Sequence, residues 1–142
     1  MSALFTDTIT LYNYARDNRA DVWHRTVLSG VQYTEKRINS TDATGKSVFT
    51  SAVTITVPAS VSSGGKRYVC PAEFKRLEDR SEVWTLDPTN GNDIVIYGEC
   101  PAEISDGYTI DDLQTDYGYV SIQSVSDNTR RRYLKNWKAE CV

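Results

Sequence analysis

The chain has 142 residues, 39% of them hydrophobic and 25% charged, the proportions of a folded globular domain and not of a disordered chain. No apolar run approaches the roughly 20 residues of a membrane-spanning helix, so no membrane partner is expected. The net charge of −3 and the pI of about 5.1 exclude gripping of nucleic-acid phosphates as the main activity, because that needs a basic surplus; only a local basic patch could face DNA.

The N-terminus, Met1 to Asp7, has no basic region leading into an apolar stretch. It does not read as a secretory signal, and synthesis in the cytoplasm is expected. Period-two alternation dominates from there. Thr8 to Tyr14 places Ile9 and Leu11 on one face, with a shift at the tyrosines. Val22 to Leu28, Val31 to Arg37 and Ser47 to Val57 continue the pattern, clearest where Val53, Ile55 and Val57 alternate with Thr54 and Thr56. All read as half-buried strands. Turns fall at Asp17-Asn18-Arg19 and at Gly30, a tight turn or bulge. The small polar run Asn39, Ser40, Thr41, Asp42, Ala43, Thr44, Gly45 and Lys46 predicts an exposed, mobile hairpin tip. Ser60 to Lys66 is a further loop.

Pro71 to Leu77 predicts a short helix, with Pro at a first helical position and Phe74 and Leu77 on one side. Asp87-Pro88 and Asn90-Gly91 predict a turn into Ile94 to Gly98, a strand apolar on both faces and therefore central. Ile110 to Gln114 predicts one helical turn capped by Thr109. Tyr119 to Val125 alternates, a turn follows at Asp127 to Arg130, and Tyr133 to Ala139 returns as the last strand of a C-terminal hairpin. Trp84 and Trp137 lie in apolar patterning and are expected in the core. With no repeat and no long linker, residues 1–142 predict one all-β domain. Its expected form is a small antiparallel β-barrel or sandwich with one or two short helices and long loops.

Chemistry is sparse. Cys70, Cys100 and Cys141 are odd in number and match no CxxC spacing, so buried or half-buried free thiols are expected, with no metal and no cofactor. Thr44-Gly45-Lys46-Ser47 lacks the earlier glycine and the following helix of a phosphate loop. His24 sits in a strand-like run without a partner nucleophile and reads as structural. Asp106, Asp111, Asp112 and Asp116 do not match a twelve-residue calcium loop. No catalytic set emerges, and an enzyme or small ligand-binding barrel is the reading from another class. Arg130, Arg131, Arg132 and Lys135, with Lys138, make the C-terminal hairpin basic, opposite in sign to the Asp106–Asp116 segment. Such separation suits head-to-tail contact between identical copies. Tyr12 and Tyr14 are candidate exposed anchors of the same interfaces.

Three blocks of the sequence resemble the small neck proteins of tailed bacteriophages, the head-closure, stopper or head–tail joining proteins. They are Trp23 to Val31, Val53 to Pro58, and Asp93 to Gly98 followed by Tyr119 to Asn128 and the ending Leu134 to Lys138. The chain is similar in particular to a group of proteins of this length from phages of Gram-positive bacteria. The resemblance implies a β-barrel that forms a homo-oligomeric ring in the virion neck, between the portal–adaptor complex and the tail or tail-terminator proteins. It also implies a loop that reaches packaged DNA in the channel. Asn39 to Lys46 matches that loop, with Ser60 to Lys66 as the second choice. The segment Cys70 to Asn92 departs from shorter joining proteins. Tail terminator, tail completion and minor capsid proteins of the same particle are the neighbouring alternatives.

Overall fold

The computed structural model describes residues 5–17 and 19–142, and the side chains of residues 38, 49 and 50 are left aside. Residues 1–4 of the expected leader-free N-terminus, and Asn18 of the expected first turn, lie outside the described residues. In chain order the elements are β1 (Asp7–Asp17), β2 (Ala20–Thr41), β3 (Ser47–Pro58), β4 (Arg67–Tyr68), α1 (Pro71–Arg76), β5 (Val83–Trp84), β6 (Ile94–Tyr97), α2 (Ile110–Asp116), β7 (Val120–Asp127) and β8 (Asn136–Cys141). Six strands close an antiparallel barrel in the order β1-β2-β3-β8-β7-β6. The all-β expectation holds, and the barrel is the form it takes.

The expected break at Gly30 is a bend inside one long strand. Gly30 has φ 92°, a left-handed conformation that costs glycine nothing. β1 pairs with β2 up to Val31 and β3 takes over from Gln32. The bend therefore hands β2 from one neighbour to the other, and the two strands expected from the sequence are halves of one.

Ile9, Leu11, Leu28, Val31, Val53, Ile55, Val57, Val95 and Ile122 fill the barrel interior. Ile94 and Ile96 face the other way, into a second cluster with Tyr12, Cys100 and Leu113. β6 is thus buried on both faces, as its apolar run predicts. The segment from Glu99 to Tyr117 lies over this outer face. It overturns the reading of Tyr12 as an exposed anchor: Tyr12 is fully buried, and its hydroxyl donates to the Ala102 carbonyl at 2.6 Å. Burial pushes its phenol far above the ordinary range. Alternation identifies an outward face but not the chain that later covers it. Tyr14 is half-buried, tilted on Trp23 with ring centroids 5.3 Å apart, and its hydroxyl donates to Asp21.

The middle segment is part of the core. β4 and β5 form a short parallel pair, and Trp84 and Leu86 join the barrel's own cluster. The Trp84 ring lies 5.1 Å from Tyr68 and 5.4 Å from Trp137. α1 begins on Pro71, as expected, and buries Phe74 with Ala15, Val69 and Val83. Beside it, Asn13 donates to the Thr85 carbonyl and accepts from the Thr85 N–H. The side-chain amide thus behaves as a piece of backbone and ties the middle segment to β1.

β8 starts at Asn136, later than the expected Tyr133. Tyr133 and Leu134 stay in the hairpin connection, where Leu134 has φ 54°. α2 follows the sequence reading closely. Thr109 accepts from the Asp112 N–H, and the Asp112 carboxylate accepts from the Thr109 N–H, a reciprocal cap. The helix stops at Gly118, whose φ of 73° suits a left-handed C-terminal position.

Candidate functional site

Three surface features stand out. The first is an arm. β8 ends opposite Val53, while β3 continues back to Ser47, so Ser47–Ala52 pair only with Lys36–Thr41 of β2. Six residues per strand make a two-stranded ribbon roughly 20 Å long. Asn39 to Lys46 are exposed wherever described. Asn39, Ser40 and Thr41 belong to the paired strand, not to the loop expected there; only Asp42–Lys46 form the turn. That turn is ordered by hydrogen bonds. The Asp42 carboxylate accepts from the Thr44 hydroxyl at 2.6 Å and from the Thr44 and Lys46 N–H groups at 2.9 and 3.0 Å. These bonds hold the Asp42 carboxyl below its ordinary range, the Thr44 hydroxyl first among them. The same bonds use the N–H groups a phosphate would need, so Gly45-Lys46-Ser47 is a hairpin turn and not a phosphate cradle.

The Asp42 bonds carry a pH dependence confined to the tip. Because the folded carboxyl sits below its ordinary value of 3.8, the turn is fully braced above that value. It loosens as pH falls through the lowered folded one. Amide exchange at Thr44 and Lys46 should therefore accelerate only below about pH 3.8 relative to the trend of other exposed amides. Acceleration already at pH 5 to 6 would contradict the bracing.

The second feature is the β7–β8 connection, Asn128 to Lys135. Arg130, Arg131, Arg132 and Lys135 are exposed, and none has a carboxylate within 4.0 Å among the described residues. Tyr133 and Leu134 are 71% and 82% exposed, with the Arg132 guanidinium 5.4 Å from the Tyr133 ring centre. The loop is tied down at its base. The Ala59 N–H donates to the Lys135 carbonyl, the Asn128 N–H to the Asn136 carbonyl, and the Asn136 amide to the Leu134 carbonyl.

The third is an open hollow of about 630 Å³ lined by Tyr33, Tyr97, Tyr117, Tyr119, Gln114 and the backbone of β6 and β7. Tyr33 and Tyr97 meet edge to face at 4.8 Å. α2 contributes Gln114 to the lining and carries Asp111, Asp112 and Asp116, all exposed. Asp112 is spent on the helix cap, Asp116 accepts from Tyr108 at 2.7 Å, and Asp106 lies exposed in the preceding bend. The sequence reading found the charges but missed the tyrosines of this hollow. They come from β2, β6 and the α2–β7 junction, and only barrel closure brings them together.

The residues weighed for chemistry stay apart. His24 is half-buried with its ring edge-on to Phe74. Its Nε2 lies 3.7 Å from Asp17, and burial lowers its pKa, which favours the neutral ring. No group of three or more metal-ligating side chains forms among the described residues. No described helix is long and apolar enough to cross a membrane. The cysteines are free; Cys100 and Cys141 are buried, and Cys70, expected to be at least half-buried, is exposed because it precedes α1 at the surface. Burial pushes the Cys141 thiol up to about 12. One thiol should therefore react rapidly with a disulfide reagent in the native protein, and all three after denaturation. Two fast native thiols would contradict this packing.

No curated protein and no solved structure matches the chain. A family model described as "Family of unknown function (DUF6751)" matches residues 4–142, nearly the whole length. By that match the chain belongs to the DUF6751 family.

Proposed function

We propose that this chain is a non-enzymatic structural subunit of the neck of a tailed bacteriophage. Identical copies form a head-closure or head–tail joining ring in the virion, between the portal–adaptor complex and the tail, and help retain packaged DNA. The observation that carries the reading is the arm, a paired ribbon standing clear of a closed barrel with an exposed tip. A ribbon of that kind adds little to the barrel's own stability and gives a ring subunit an element that can reach into a channel. The net charge of −3 fits a tip that meets DNA without gripping it. The separation of acidic and basic segments fits contact between copies, and the two short helices fit a neck barrel better than a tail terminator built of helices on a sheet.

The test is made on particles. Mass spectrometry of purified virions should find the chain, and electron microscopy of labelled virions should place it at the neck. Its absence from virions removes the reading. In the purified protein, Lys46→Glu should leave unfolding free energy within about 0.5 kcal/mol of wild type, as for other exposed substitutions. In virions the same change should alter DNA retention. A Lys46→Glu protein that fails to fold would make the tip a structural element and end its assignment to the channel.

A further inference from the structure

We propose that the basic loop of one copy docks its Tyr133–Leu134 tip into the tyrosine-lined hollow of the next copy, with Arg130–Arg132 and Lys135 set against the acidic helix α2. Apart from Val142, the large hydrophobic side chains with high exposure among the described residues fall in two places. Tyr133 and Leu134 stand on the loop, and Tyr97 and Tyr117 line the hollow. The first pair stands on an exposed loop with four cations; the second lines a hollow to which α2, the helix that carries the exposed Asp111, Asp112 and Asp116, contributes Gln114. The patches lie at opposite ends of β7, which follows α2 and precedes the loop. Eight residues of strand separate them by roughly 25 Å. They cannot meet within one chain. A contact between two different patches is heterologous, and repetition of such a contact closes a ring or extends a filament.

The backbone at Leu134 adds an independent sign. A non-glycine residue at φ 54° is disfavoured, and a strained residue persists when its surroundings hold it for a purpose. Here no core contact compensates, because the side chain is 82% exposed. The conformation leaves Leu134 exposed beside Tyr133 while its carbonyl accepts from the Asn136 amide. The inference deepens the ring reading and rests on it for closure, but not for the pairwise contact.

The test is disulfide trapping in a Cys70→Ser background. Tyr117→Cys and Leu134→Cys, each made singly and then mixed and oxidised, should give a 117–134 linked dimer. It should form at least about tenfold faster than Ser124→Cys mixed with Leu134→Cys, as expected where docking raises the effective concentration. Placed in one chain, the pair should give a ladder of trimers and higher species, slowed by added salt as charge steering is screened. A mixed rate no faster than the control overturns the proposal. If a cysteine variant does not fold, zero-length amine–carboxylate cross-linking of an isotope-mixed, unaltered protein supplies the same answer. A link from Lys135 to Asp111 or Asp116 between copies supports the contact, and its absence overturns it. A ladder from a protein that virions lack would keep the contact and remove the neck reading. A virion protein without the link would do the reverse.

Discussion

Trp84→Ala is expected to destabilise the protein by about 4 kcal/mol, within the range for removing a buried tryptophan. Trp84 is 2% exposed and does not belong to the barrel. It enters the barrel's cluster from β5, between Tyr68 and Trp137. Its loss leaves a void open to the barrel interior, and the short parallel β4–β5 pair is too small to stay in place without it. For a domain of this size the loss corresponds to a melting temperature lower by roughly 10 °C or more. Protease cleavage should also appear between residues 60 and 93. A drop of only 2–3 °C with no new cleavage would show that the middle segment is held by other contacts and that Trp84 merely rests on the barrel.

Asp93→Asn is expected to cost about 3 kcal/mol, although the two side chains have nearly the same shape. Asp93 is 1% exposed and both its oxygens accept. Oδ1 takes the Tyr14 N–H at 2.8 Å and the Asn90 amide at 3.1 Å. Oδ2 takes the Asn13 amide at 2.8 Å and the Asp87 N–H at 3.2 Å. An asparagine offers one acceptor and turns an N–H₂ toward two donors. Asn13 cannot flip to relieve this, because both ends of its amide are engaged with Thr85. One or two buried donors are left without partners, at about 1–3 kcal/mol each. Burial lifts the Asp93 carboxyl above its ordinary 3.8, and the hydrogen bonds pull it part of the way back. The folded state therefore holds this proton more tightly than the unfolded chain. That contribution is full at low pH and fades as pH rises from 3.8 through the folded value, so the gap between wild type and variant should narrow over the same interval. Equilibrium urea unfolding followed by tryptophan fluorescence measures both effects. A cost below about 1 kcal/mol would mean that the carboxylate is not the acceptor of all four bonds.

The two variants probe one architectural fact from different sides. The segment between β3 and β6 is fastened to β1 by polar bonds through Asn13 and Asp93 and to the barrel interior by Trp84 and Leu86. With that segment fixed, the β2–β3 ribbon extends beyond the barrel pairing and the basic loop stays exposed.

The sequence by itself determined the main barrel strands and both helix starts, because each is written in neighbouring residues. Alternation at Val53, Ile55 and Val57 is a local pattern. So are Pro71 at the start of α1, Thr109 with Asp112 at the start of α2, and the continuous apolar run of β6. The sign and place of the charged segments were equally legible. What only the tertiary structure decided depends on partners far along the chain. Tyr12 is buried because its hydroxyl meets Ala102, 90 positions away. Asn39 to Thr41 are strand and not loop because residues 47–49 pair with them, and they form an arm in which the two strands pair with each other alone among the described residues. Leu134 faces solvent because β8 begins two residues later, after the chain has turned through a left-handed position. The tyrosine hollow has no linear signal at all, since its walls come from β2, β6, α2 and β7. The physical reason is the same in each case. Period and capping are set by a residue's own backbone and its nearest neighbours, whereas exposure is set by whatever the closed barrel brings over it.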